Sequence, residues 1–95
     1  MKKYTQQEFD DVPSYLGNRR HPTGDYSAVT KIGHCNVFGS GSVFGSNIKF
    51  GFRNKFGEQC VFGDNNIFGG SNRFGHGCVF GNRNMFPSGS NPFAN

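Results

Sequence analysis

Phe56-Gly57-Glu58-Gln59-Cys60-Val61-Phe62-Gly63-Asp64-Asn65-Asn66-Ile67-Phe68-Gly69-Gly70-Ser71-Asn72-Arg73-Phe74-Gly75 returns to Phe-Gly at every sixth residue. The same step carries Phe through positions 38, 44, 50, 56, 62, 68, 74, 80 and 86 without slippage. Gly follows each of them except the last, where Pro87 stands, and Ile32-Gly33 lies one period earlier as an opening unit. A period of six fits neither the 3.6 residues of a helical turn nor a heptad. It is, however, a multiple of the two-residue alternation that decides which side of a strand a residue faces. Short strands joined by corners are therefore predicted, each Phe facing inward.

Parity sends the residue two before each Phe inward as well: Asn36, Ser42, Ile48, Asn54, Cys60, Asn66, Asn72, Cys78 and Asn84. The residue between faces out, and there the chain mixes β-branched and charged side chains such as Val37, Lys55, Val61 and Arg73, as an exposed strand position allows. The rest of each unit, as in Gly63-Asp64-Asn65 and Gly69-Gly70-Ser71, consists of residues that tolerate positive φ and turn corners at low cost. Stacked positions favour like side chains. A step of 18 aligns Asn36 with Asn54 and Asn72, Cys60 with Cys78, and Val43 with Val61 and Val79, whereas steps of 12 or 24 mix Asn with Cys or Ile. Three sides per coil follow, and with them an all-β, triangular solenoid of about three 18-residue coils.

At this point the chain resembles the hexapeptide-repeat left-handed parallel β-helix family, whose units run aliphatic, small, two variable residues, small, variable. Phe62-Gly63-Asp64-Asn65-Asn66-Ile67 and Phe74-Gly75-His76-Gly77-Cys78-Val79 keep that order with Phe in the aliphatic place, over residues 32 to 86. The left hand is implied by this resemblance alone. The bulky Phe and the Asn at the small position depart from the family pattern and imply a wider coil. The chain is also similar in style to short Phe-Gly hexapeptide proteins of phages and mobile elements. That likeness implies an anti-defence role, such as inhibition of a CRISPR effector.

Three segments result: a capping segment at 1–31, the solenoid at 32–86 and a cap or tail at 87–95. In the first, Thr5-Gln6-Gln7-Glu8 is a capping-box signature that predicts a short helix ended by Pro13, followed by an irregular wrap over 14–31. In the last, Pro87 stops the ladder because it has no N–H to donate, and Phe93 is expected to fold back over the final coil.

The 95 residues hold 12 Phe and 15 Gly with a mean hydropathy of -0.58, values that would suit a disordered chain were the Phe spacing not so regular. No apolar run reaches the roughly 20 residues that span a bilayer. The amino terminus, Met1-Lys2-Lys3-Tyr4, leads into polar residues rather than a signal-peptide core, so a cytoplasmic location is expected. The cysteines, Cys35, Cys60 and Cys78, form no CxxC pair, which predicts neither a disulfide framework nor a zinc site; Cys60 and Cys78 read as inward packing. A net charge of +4 opposes any mimicry of DNA.

The outward positions divide into a valine stripe (Val43, Val61, Val79), a face of Val37, Lys55 and Arg73, and a face of Lys31, Lys49, Ile67 and Met85. The stripe is the expected dimer interface, although valines are also simply good strand residues. Lys49, Arg53, Lys55 and Arg73 are expected to gather toward one edge beside Phe52, a corner aromatic, as a partner-binding site. A solvated charged face with one stray Phe is the plainer alternative. A nucleic-acid backbone would use the same cations and could stack a base on Phe52. Members of the resembled family are often acyltransferases, which implies a catalytic His in a cleft. Here His34 and His76 fall at corners without inserted loops and His21 falls in the cap, so no catalytic residue, metal or cofactor is assigned. A protein partner, reached by a small non-enzymatic inhibitor, is the leading expectation, with a nucleic-acid-binding module on the basic edge and a minimal acyltransferase, implied by the resemblance, as the alternatives.

Overall fold

In the computed structural model, which describes residues 1–87, the chain winds into a parallel β-solenoid. One helix, α1 (Gln6–Asp10), precedes eleven short strands: β1 (Arg19–His21), β2 (Asp25–Tyr26), β3 (Lys31–Gly33), β4 (Asn36–Phe38), β5 (Val43–Phe44), β6 (Lys49–Phe50), β7 (Lys55–Phe56), β8 (Val61–Phe62), β9 (Ile67–Phe68), β10 (Arg73–Phe74) and β11 (Val79–Phe80). They form three parallel sheets, β1-β4-β7-β10, β2-β5-β8-β11 and β3-β6-β9. A bridge from Ile67 to Met85 extends the third. Val37 pairs with Lys55, Val43 with Val61 and Lys49 with Ile67, each a step of 18, so the coil has three sides.

Each Phe ring stacks on the ring one coil away and meets its neighbours in the same coil edge to face. Along one column Phe38, Phe56 and Phe74 lie 5.3 and 5.0 Å apart and within 3° and 5° of parallel. Around one coil Phe56 and Phe62, then Phe62 and Phe68, cross at 82° and 77°. Both geometries suit the ring quadrupole and add roughly 0.5–1.5 kcal/mol per pair to the burial of apolar area. The inward rings of Phe38, Phe44, Phe50, Phe56, Phe62 and Phe68 are at most 3% exposed.

The inner asparagines close the polar side of this core. Asn66 accepts from the Ile48 N–H (2.8 Å) and donates to the Gly45 carbonyl (3.0 Å), so one amide ties two backbone groups of the preceding coil. Asn54 does the same for the Asn36 N–H and Gly33, and Asn72 for the Asn54 N–H and Gly51. At the corresponding positions the Cys60 and Cys78 thiols donate to Gly39 and Gly57. Burial pushes the Cys60 thiol up to about 11, which makes it an inert packing group. Among the described residues no buried side-chain polar atom lacks a partner.

The corners divide the work between two positions. The residue three before each Phe has positive φ, as at Asn47 (62°), Arg53 (61°), Gln59 (57°) and Asn65 (61°). That rotation turns its N–H to the next coil, where Asn47 donates to Asp64 and Gln59 to His76. The glycine after each Phe serves a different need, the close approach of two backbones. A Cβ on Gly69 would sit 2.8 Å from the Gly51 oxygen, whereas one on Gly70 would meet nothing within 4 Å. Within Gly63-Asp64-Asn65 and Gly69-Gly70-Ser71, therefore, Asn65 and Ser71 supply the positive φ.

The ladder also begins earlier than the Phe-Gly repeat. Residues 19–31, read from sequence as part of the cap, place β1 on β4 and β2 on β5, with Arg20 opposite Val37 and Asp25 opposite Val43. Here His21, Tyr26 and Ile32 take the inner positions, and the first register step is 17 rather than 18, which hides the repeat. Helix α1 forms with the expected capping box between Thr5 and Glu8. Its Phe9 stacks on His21 (4.4 Å), which stacks on Phe38 (4.9 Å), while Tyr4 stacks on Tyr26. The N-terminal segment thus continues two ring columns and closes that end. Phe93 lies outside the described residues. No helix among them is long and apolar enough to cross a membrane.

Two outcomes test this packing. Gly69→Ala lowers stability by about 1–3 kcal/mol because its Cβ meets backbone, while the adjacent Gly70→Ala is neutral within about 0.5 kcal/mol; denaturant unfolding of both variants separates them. Second, burial holds His21 below its ordinary 6.5, more strongly than its bond to Asn36 raises it, and Arg19 adds to the depression. The unfolded chain then takes up the proton first, so stability is full above pH 6.5 and falls as pH drops below it. Thermal unfolding from pH 7.5 to pH 5.5 shows this slope in the wild type, and it flattens in His21→Phe.

Candidate functional site

The solenoid turns sequence spacing into three flat faces, each a column of outward residues about 4.8 Å apart. On the sheet β1-β4-β7-β10 the column is Arg20, Val37, Lys55 and Arg73, with Arg20 opposite Val37, Val37 opposite Lys55 and Lys55 opposite Arg73. Arg20, Lys55 and Arg73 are exposed, and no acid shares the column. Arg20 was missed in the sequence because its strand lies outside the Phe-Gly repeat.

The remaining predicted site residues flank one edge of this face. Lys49 stands on the neighbouring sheet, opposite Lys31 and Ile67. Between Lys49 and Lys55 the chain turns through Phe52 and Arg53, so the corner carries both an aromatic and a cation. Lys55 and Arg73 are direct neighbours, and Lys49 lies around the corner from them. Arg53 holds a φ of 61°, a conformation that costs a non-glycine residue roughly 1–2 kcal/mol. Its N–H donates to the Gly70 carbonyl at 3.1 Å, which locks the corner.

Phe52 is less isolated than its place in the repeat suggests. Its ring stacks on His34 at 3.8 Å, and its N–H donates to His34 Nδ1 at 3.2 Å. That bond requires Nδ1 to be unprotonated and uses His34 as a corner acceptor. Ser40, Ser46 and Asp64 play the same part for the backbone N–H groups of Glu58, Asp64 and Asn82. Phe52 nonetheless keeps 44% of its surface exposed. Cys35 sits in the same corner at a φ of 59° and donates its N–H to Phe52.

The valine stripe on β5, β8 and β11 is in register as expected. Val61 and Val79 are exposed, while Val43 is half-buried beside Asp25. On the third face Ile67 and Met85 are likewise exposed. The opposite corner holds a shallow notch lined by Asp64, Asn65, Asn82 and Arg83. His34 and His76 are both exposed corner residues. Among the described residues no three His, Cys, Asp or Glu side chains gather as a metal ion would need.

Comparison with protein-family models, with curated proteins and with solved structures found no match to this chain.

Proposed function

We propose that this protein is a small non-enzymatic binding protein that docks its basic face on the acidic surface of another protein. The observation that carries this reading is a column with Arg20, Lys55 and Arg73 and no acid, Val37 standing between Arg20 and Lys55, bordered by Phe52 and Arg53, on a scaffold pinned by ring stacks and amide bonds. A rigid surface loses little entropy on docking, and a cation line beside an exposed aromatic is the composition of an energetic centre. Inhibition of the partner, with a phage or mobile-element anti-defence role, is proposed on the resemblance of the Phe-Gly repeat alone.

Affinity capture from a bacterial lysate, with and without nuclease, tests the reading. A protein partner that survives nuclease is expected, with at least a tenfold loss of affinity in Lys55→Glu combined with Arg73→Glu. Retention of nucleic acid alone, with steep salt dependence, would replace it with the nucleic-acid reading, which the same cations support.

The Val43, Val61 and Val79 stripe is proposed as the seam of a dimer. Its apolar column, exposed at Val61 and Val79, favours face-to-face pairing with a second copy about a two-fold axis. Sedimentation is expected to give twice the chain mass for the wild type and the single mass for Val61→Lys with Val79→Lys.

A further inference from the structure

Ahead of β1 the chain makes a hairpin from Tyr15 to Asn18. The Tyr15 N–H donates to the Asn18 carbonyl at 2.7 Å, and the Asn18 N–H returns to the Tyr15 carbonyl at 3.0 Å. Its two central residues, Leu16 and Gly17, have φ of 52° and 84°. Positive φ at both centres is the mirror-image two-residue hairpin, for which Asn-Gly is the preferred pair. Gly17 fits that requirement, but Leu16 does not. A branched side chain at the first centre is strained, and it gains nothing inside the protein in return: Leu16 is 84% exposed and Tyr15 68%. Strain kept without internal compensation points to a role outside the fold.

The tip is also placed where the binding face begins. Asn18 leads directly into Arg19, whose N–H bonds the Cys35 carbonyl in the corner that also holds His34 and Phe52. Arg20, next in the chain, starts the column that continues to Lys55 and Arg73. The hairpin thus leads, within two residues of Asn18, into both the corner that carries Phe52 and the first residue of the basic column.

We infer that Leu16 is the anchor of the docking surface, a preformed apolar plug that enters a hydrophobic pocket with an acidic rim on the partner protein. The plug needs no ordering on binding because the hairpin already holds it, so the turn's strain is offset only in the complex. This rests on the protein-binding reading above.

The test compares wild type, Leu16→Asn and Leu16→Met as full-length chains. The probe is the nuclease-resistant protein retained by the wild type from a bacterial lysate, identified and purified, with affinity read by calorimetry. Leu16→Asn relieves the turn, so its unfolding midpoint is expected to rise by roughly 4 °C while its affinity falls at least tenfold. Leu16→Met, which keeps the apolar bulk, binds like the wild type. A midpoint that falls in Leu16→Asn would assign Leu16 a structural role and overturn the inference, as would undiminished binding. If Lys55→Glu with Arg73→Glu abolishes binding while Leu16→Asn does not, only the anchor fails. If no nuclease-resistant protein is retained, both readings fail together. Self-association lost in Leu16→Asn would make a second copy the occupant and also overturn it.

Discussion

The spacing between coils is the constraint on which the rest of this protein depends. Parallel strands pair at about 4.8 Å, a spacing within the roughly 4.5–7 Å centroid separation that aromatic pairs prefer. Phe44 and Phe62 lie 4.9 Å apart, and Phe62 and Phe80 4.8 Å, so backbone ladder and ring stack share one repeat. A small chain with a mean hydropathy of -0.58 can then build a core from rings alone. The same close approach of coils excludes a Cβ at the glycines that follow the inward Phe residues, from Gly39 to Gly81. It also suits an inner Asn, whose amide reaches the coil before it and bonds one N–H and one carbonyl there.

That economy shapes the surface as well. Because successive coils are in register, an outward residue is never alone; it belongs to a column whose members stand a fixed distance apart. Charge placed on one column accumulates, as Lys55 and Arg73 do side by side, and apolar side chains on another line up as Val61 and Val79 do. Function on such a scaffold is a matter of which columns carry what, and of the corners between them. The corners tolerate strain because ladder bonds hold them on both sides: Arg53 keeps positive φ with its N–H on Gly70, and Phe52 is fixed by the ring and Nδ1 of His34. The hairpin tip at Leu16 is strained in the same way but lies outside the ladder, which sets it apart from the corners.

Both ends of the repeat pose the problem of an open stack. At the N-terminal end the solution departs from the repeat while keeping its chemistry. His21 and Tyr26 occupy ring positions in β1 and β2, and Phe9 and Tyr4 complete the two columns above them. His21 is held between two rings with its Nε2 on the Asn36 oxygen, which gives the cap a dependence on pH that the Phe columns lack. Helix α1 is short, yet its capping box and Phe9 give it both ends of a reason to form: a satisfied N-terminus and a buried face.

The Phe period of six, and the 18-residue ladder of Asn and Val columns, determined the three-sided coil, the inward and outward positions and the membership of each face in the repeat. These follow from parity and from like residues stacking, both local properties of the chain. Thr5 and Glu8 likewise announced the helix, since a capping box spans only four residues. Tertiary structure decided what depends on one coil meeting another. The pairing of Arg20 with the basic column required a register step of 17 that no periodicity reveals. The assignment of positive φ to Gln59 and Arg53 rather than to the neighbouring glycines came from which N–H had to reach the next coil. His34 beneath Phe52 is a contact that only the closed coil brings to one corner, and the exposure of Leu16 in a positive-φ turn is likewise set by the folded chain.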